Sequence, residues 1–199
     1  MTEVAAEAID GRAARRQRNV DAVLDVVIEM FAEEAMLPTM EQAAIRSGLS
    51  LRSLYRYFAD PGELMAATIK RSDERHSPLV HLPAIGQGPL NGRIERFASA
   101  RLRLHEVAGP VFRATVVNAA RHPVIRDELA RSRNRLREQF ELQFAPELAK
   151  LKPADRQAAL TAGDLLTQID SIDYMRRHRQ LSRAEAHAVL VEALGSLLG

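Results

Sequence analysis

The stretch TMEQAAIRSGLSLRSLYRYFADPGEL, Thr39 to Leu64, constrains this chain more than any other. It reads as two short helices joined by a tight turn. Thr39 is a good N-cap, and Met40 to Arg46 supply two helical turns. Ser47-Gly48-Leu49 ends that helix, because Gly48 takes a left-handed backbone at no steric cost. Ser50 caps again, and Leu51 to Phe58 form the second helix. Ala43, Ala44, Leu49, Leu54 and Phe58 are spaced to pack the two together, the small alanines allowing a close crossing. This is the spacing of a helix-turn-helix, whose second helix enters the DNA major groove. The opposite face carries Arg46, Arg52 and Arg56 with no acid between Gln42 and Ala59, beside Ser50, Ser53, Tyr55 and Tyr57. Hydroxyls and guanidiniums bond phosphate oxygens, and arginine also reads guanine through two bonds.

The remaining chain supports a helical protein around that unit. Its 199 residues, 46% hydrophobic and 27% charged, are an ordinary globular composition. Without cysteine there is no disulfide frame, thiolate zinc site or thiol catalysis. No apolar run reaches the roughly 18 residues of a membrane span, and MTEVAAEAIDGRAARRQR lacks the apolar core of a signal peptide, so a cytoplasmic protein is expected. Net charge is +2, unevenly spread: residues 1–78 carry 10 basic and 13 acidic side chains, residues 79–137 carry 11 arginines against 4 acids. The middle arginines read as a solvated helical face.

In chain order, residues 1–14 read as a disordered tail leading into a basic cluster, Arg12 to Arg18. Asn19 to Glu34 is an amphipathic helix on Val20, Val23, Leu24, Val27 and Phe31. Asp60-Pro61-Gly62-Glu63 opens a helix reaching about Arg75, with a capping-box arrangement. The prolines and glycines of His76 to Gly92 predict a linker, whose His76 and His81 lack the further ligands a metal needs. Helices follow at Ile94–Val107, at Val111–Arg121 after a break at Gly109-Pro110, and at Val124–Phe144, with a short piece between Pro146 and Pro153. Pro153 to His178 reads as one long helix, apolar along Ala158, Ala162, Leu165, Leu166, Ile169 and Ile172. A capping box at Ser182–Glu185 starts the last helix. These two helices make half of a four-helix interface, on Leu165, Ile169, Ile172, Val189, Leu190, Ala193, Leu194 and Leu197, unless both stripes pack inside one subunit. His105, Asn118, Gln168 and Tyr174 are polar groups among apolar neighbours and are the candidates for a ligand site. No phosphate loop or nucleophile elbow is present, so no catalytic residue, cofactor or metal is assigned. Asp164, Asp170 and Asp173 either face a cavity or pair with the surplus arginines.

Thr39-Met40, Ala43-Ala44, Gly48-Leu49-Ser50, Leu54-Tyr55, Tyr57-Phe58 and Glu63-Leu64 fall together in the register of one family. Over roughly residues 18–70 the chain resembles the DNA-binding region of TetR-type transcriptional regulators. It departs at Ala35-Met36, where the family often has a glycine, and at Pro61, where a phosphate-binding lysine often stands. The resemblance implies an all-α protein: an N-terminal three-helix helix-turn-helix DNA-binding domain over residues 15–62, and a C-terminal helical domain over 63–199 for ligand binding and dimerisation. It implies a non-enzymatic repressor that binds a palindromic operator in double-stranded DNA as a homodimer and answers to an unidentified small-molecule effector. The alternative is an all-α small-molecule-binding protein or enzyme without DNA binding. The expected DNA contacts are Thr39, Ser50, Leu51, Arg52, Ser53, Tyr55, Arg56 and Tyr57. Arg52, in the first turn of the recognition helix, is expected to read a base and the others mainly to hold phosphates.

Overall fold

A computed structural model describes residues 2–33, 37–80 and 82–199; Ala35-Met36 and His81 lie outside them, as do the side chains of residues 2–12, 32 and 77–80. The described residues form ten α-helices and one π-helical turn, and no strand. They are α1 (Thr2–Glu33), α2 (Met40–Ser47), α3 (Leu51–Tyr57), α4 (Pro61–Val80), α5 (Leu90–Ala119), α6 (Pro123–Gln143), α7 (Ala145–Leu148), α8 (Pro153–Thr167), α9 (Ile169–Asp173) and α10 (Arg183–Leu198), with the π turn at Tyr174–His178. Two compact units result: one holds the chain up to Glu74 with Arg113–Glu128, the other Arg75–Phe112 with Leu129–Gly199.

The first unit is built on α1. Val23, Leu24, Val27, Ile28 and Phe31 are buried on its inner face, with Met40, Ala43 and Ala44 of α2, Leu54 of α3, Phe58, and Leu64, Met65 and Ile69 of α4. Arg71 of α4 donates to both carboxylate oxygens of Asp25 in α1, at 3.2 and 3.1 Å. α1 starts at Thr2, where the sequence suggested a tail through residue 14; the alanines, arginines and glutamates of that stretch are strong helix formers. At the head of α4, Glu63 N–H donates to Asp60 Oδ1 at 2.9 Å, and the Glu63 carboxylate accepts from Ala59 N–H at 2.6 Å. Gly62 makes a close approach there: a Cβ would lie 2.9 Å from His122 Nδ1 and 3.0 Å from Asp60 Oδ1, so one of those side chains would have to shift. The turn between α5 and α6 thereby seats against the start of α4, within the same unit.

The second unit is centred on three rings. Phe97 of α5, Phe140 of α6 and Phe144 stand edge-on or tilted with centroids 4.9–5.8 Å apart, and Leu82, Ile94, Leu148, Leu160, Leu194 and Leu198 surround them. Beside them Ala98, Leu102, Ile172, Met175, Ala186 and Leu190 form a second cluster. A buried arginine locks the loop before α5: Arg93 donates to the carbonyls of Gly88 (3.0 Å) and Gln143 (2.7 Å) and to the Glu147 carboxylate. Gln143 returns bonds to the Arg93 carbonyl (3.1 Å) and from Gly86 N–H (3.0 Å). Burial pushes the Glu147 pKa up, but Arg93 bonds and charge outweigh it and hold the carboxyl below its ordinary value. The middle arginines are therefore not simply a solvated face. Arg93 and Arg101 are interior, while Arg133 and Arg137 pair with Asp170 (2.8 Å) and Asp164 (3.3 Å).

Three further sequence expectations change. α4 runs to Val80 and α5 begins at Leu90, so the linker is shorter than residues 76–92. α5 passes unbroken through Gly109-Pro110. An internal proline costs about 3 kcal/mol, and here Leu102, Leu104, Ala108, Val111 and Phe112 are all buried along the same helix, which offsets it. The helix expected from Pro153 to His178 breaks at Gln168, whose backbone is extended (φ −67°, ψ 154°). In a straight helix residues 165, 169 and 172 share one face. The break re-phases the chain, leaving Leu165 62% exposed while Ile169 and Ile172 are buried. This corrects the expected dimer face. Ile169, Ile172, Leu190 and Leu194 are buried in the chain's own core, because each covers apolar surface of its own unit. Leu165 and Val189 are exposed, and Ala193 and Leu197 half-buried.

Gly163 is where α8 meets the ring cluster. A Cβ there would stand 1.9 Å from Phe140 Cζ. Gly163→Ala is expected to cost about 1–3 kcal/mol through overpacking, read from denaturant unfolding. In a Phe140→Leu background the same substitution should cost less, the two effects being coupled through one contact.

Candidate nucleic-acid interface

α2 and α3 are each capped at their start by a hydroxyl side chain, and Gly48 closes the turn between them. The Thr39 hydroxyl accepts from Gln42 N–H (3.2 Å), while Thr39 N–H donates to Gln42 Oε1 (2.8 Å), a complete capping box. Gly48 takes φ 70°, ψ 17°, and Leu49 N–H reaches the Ala44 carbonyl at 3.1 Å, which closes α2. Ser50 Oγ then accepts from Ser53 N–H at 3.2 Å and donates to Ser53 Oγ at 2.9 Å, starting α3. Leu54 is fully buried and anchors α3, so the other side of the helix must face outward.

That outward side carries Arg52, Tyr55 and Arg56 exposed, Leu51 just exposed and Ser53 half-buried. Among the described residues, Arg52 has no hydrogen-bond or ionic partner, so its guanidinium is available. Arg46 is not available in the same way. It makes two bonds to Glu33 at the end of α1 (3.0 and 2.9 Å), and the Arg46 bond holds the Glu33 carboxyl below its usual range. No sequence spacing linked these residues, since they meet only through the packing of α2 on α1. Pro61 stands at the head of α4 with the carboxylates of Asp60 and Glu63 engaged in its capping.

Tyr57 has a more elaborate setting than the sequence suggested. Its hydroxyl oxygen accepts from Asn19 Nδ2 (3.4 Å) and an Arg56 guanidinium nitrogen (3.3 Å), and its ring lies 5.7 Å from the Arg16 and 5.2 Å from the Arg56 guanidinium carbon. With both acceptor positions in use, the O–H proton is left to donate outward. Arg16 and Asn19 are thus additional residues of this surface. The Arg12–Arg18 cluster was the only sequence signal for them.

Each candidate ligand residue has partners of its own. Asn118 lies in the first unit and donates to the Ala114 carbonyl one turn back (2.8 Å). Tyr174 is 56% exposed and stacks on His178. His105 and Gln168 are both buried in the second unit, His105 beside Asp173 (3.1 Å) and Gln168 bonded to Asp164 (2.5 Å). Among the described residues, no His, Asp and Glu group could hold a metal ion, and no helix is long and apolar enough to cross a membrane.

N–H donors on a phenol oxygen favour phenolate. The bonds from Asn19, then Arg56, and the charges of Arg56 and Arg16 lower the Tyr57 pKa against a smaller opposing effect of burial. Of the 3 tyrosines, one is therefore expected to titrate below the usual value of about 10. Asn19→Leu should raise that titration, followed by ultraviolet absorbance. An unchanged curve would show that the bond does not persist in solution.

No protein-family model matches the chain. It is 33% identical over 108 residues to the HTH-type transcriptional regulator BetI of Escherichia coli O45:K1 (strain S88 / ExPEC), 53% of this chain and 49% of that protein. To BetI of strain K12 / DH10B it is 32% identical over the same length. The chain thus spans about half the length of the curated relatives it matches. A TetR-family transcriptional regulator from Streptomyces coelicolor superposes with a TM-score of 0.72 at 21% identity, covering 91% of this chain and 80% of that one. The multidrug binding protein EbrR, complexed with imidazole, gives 0.65 at 19% identity over 94% and 90%. Two short capped helices on a long α1, followed by a helical second unit, give this chain the fold of the TetR-type regulators that its Thr39–Leu64 stretch resembles.

Proposed function

We propose that the protein is a DNA-binding transcriptional regulator, a repressor that binds a palindromic operator as a homodimer and releases it when a small molecule binds the second unit. Residues 15–62 act as the DNA-binding module. The observation that carries this reading is the outward face of α3: an unpartnered Arg52 in the first turn of a capped helix, beside Tyr55, Arg56 and the braced Tyr57. Arg52 reads a base edge; Thr39, Ser50, Leu51, Ser53, Tyr55, Arg56 and Tyr57 contact the groove walls and phosphates. The similarity to BetI, named as a transcriptional regulator, supports it. The structural neighbour EbrR was solved with imidazole and with ethidium, which supports a ligand-responsive second unit. A dimer places two recognition helices about one DNA turn apart, roughly 34–36 Å. The effector must bind two such arrangements unequally, since equal affinity shifts nothing.

Arg52→Ala is expected to cost about 1–3 kcal/mol on the operator and to blunt discrimination at one base pair of each half-site. Arg56→Ala should weaken all sequences alike and lower the salt slope by about one unit per phosphate contact removed. Binding titrations on operator variants at several salt concentrations separate the two. If neither substitution changes binding, α3 is not the recognition helix.

The dimer surface is expected on the exposed faces of α8 and α10, around Leu165 and Val189. Leu165→Glu with Val189→Glu should yield a folded monomer in sedimentation, with unchanged helical content by circular dichroism. A double variant that stays dimeric would place the contact elsewhere. Leu190→Glu or Leu194→Glu should instead unfold the second unit, since both side chains are fully buried.

A further inference from the structure

The phenol of Tyr57 is reached from two helices. Arg16 and Asn19 lie one turn apart on a single face of α1. Asn19 Nδ2 donates to the Tyr57 oxygen at 3.4 Å, and the Arg16 guanidinium carbon lies 5.7 Å from the ring centroid. On α3 itself, Arg56 donates to the same oxygen at 3.3 Å, with its guanidinium carbon 5.2 Å from the ring. Two cations thus meet at one half-buried ring. Among the described residues no carboxylate pairs with either of them, or with Arg15 and Arg18 beside Arg16 on α1. The next acids along α1 are engaged elsewhere: Asp21 accepts from Gln17 (2.9 Å), and Asp25 from Arg71 (3.2 and 3.1 Å).

Like charges gathered on one ring repel, and here no protein acid relieves them; an anion from outside does. The phenol oxygen already accepts two bonds, which leaves its proton for an outside acceptor. An acceptor that is also an anion answers both needs, and the outward face of α3 with its unpartnered Arg52 continues from this point. We infer that Arg16 and Tyr57 form a phosphate-backbone site for duplex DNA that joins α1 to the recognition helix: the Tyr57 hydroxyl donates to a phosphodiester oxygen, Arg16 supplies charge, and Asn19 is the positioning residue that fixes the phenol. The inference rests on the proposed DNA-binding reading and extends its interface to a helix that carries none of the contacts assigned above. Every nucleotide offers the same phosphate, so the contact adds affinity without sequence preference.

The test is binding of a random-sequence DNA duplex to the full chain across salt and pH. Arg16→Met should lower the salt slope by about one unit, so that the unsubstituted protein loses roughly 3.5-fold more affinity than the variant between about 50 and 200 mM salt. Arg16→Lys should restore the slope. N–H donors favour the Tyr57 phenolate and a phosphate favours the neutral hydroxyl, so affinity should fall as pH rises through the lowered Tyr57 titration. The charged groups acting on Tyr57 are Arg56 on its own helix and Arg16 on α1. That fall should be absent in Tyr57→Phe and should move to higher pH in Asn19→Leu, which loses the strongest of the donors. An unchanged slope in Arg16→Met, a pH profile that Tyr57→Phe leaves as it was, or no duplex binding at low salt overturns the inference. Mobility shift of genomic DNA fragments keeps the two readings apart. Duplex binding with these dependences but no preferred fragment would retain the interface and reject the regulator, and a preferred fragment with neither dependence the reverse.

Discussion

What the outward face of α3 presents hangs on the burial of Leu54, in the same unit as the buried alanines of α2 and the apolar face of α1. α3 is 7 residues long, far below the length at which a helix persists alone in water. Three things hold it: the Ser50 cap, the left-handed Gly48 that lets α2 end just before it, and the Leu54 anchor. With those in place, its exposed face is determined by helical geometry, and Arg52, Tyr55 and Arg56 project together. The residues that brace Tyr57 are less local. Asn19 and Arg16 on α1 reach the end of α3 only because the apolar stripe of α1 lies under both short helices.

The second unit uses its charge differently. A surplus of arginine along α5 and α6 would ordinarily be a solvated surface. Here two of the side chains turn inward, Arg93 to clasp a loop and the α6–α7 corner, Arg101 to lie on an aromatic ring between helices. Others meet aspartates across from them on α8 and α9. The interior is therefore cross-braced by guanidinium groups over a core of phenylalanine and leucine. Such a core favours one arrangement of the helices strongly, since moving α8 past α6 would strand the Arg137–Asp164 bond and the Gln168 bond to the Arg133 carbonyl as well as expose apolar area.

Helix α4 and the α5–α6 turn meet in the first unit at a contact with no spare room, Gly62 against His122. Close-packed contacts transmit displacement because they have discrete rather than graded alternatives. α4 and α5 each begin in one compact unit and end in the other.

Caps, turn glycines and periodic apolar residues are local signals, and they determined the helix-turn-helix before any packing was known. Thr39, Gly48, Ser50, Asp60 and Ser182 all act where their residue types and neighbours said they would, because a cap needs only the backbone of the next turn. What the sequence could not settle was every choice between two environments for one amphipathic residue. Pro110 stays helical because burial on both flanks outweighs a lost backbone bond. Leu190 and Leu194 face inward because α8 and α5 supply the apolar surface they cover, while the kink at Gln168 turns Leu165 out. Arg101 is interior because Gln139, Leu136 and Phe97 converge on it from two helices. Each of these depends on partners far away in the chain, and only the tertiary structure brings those partners within reach.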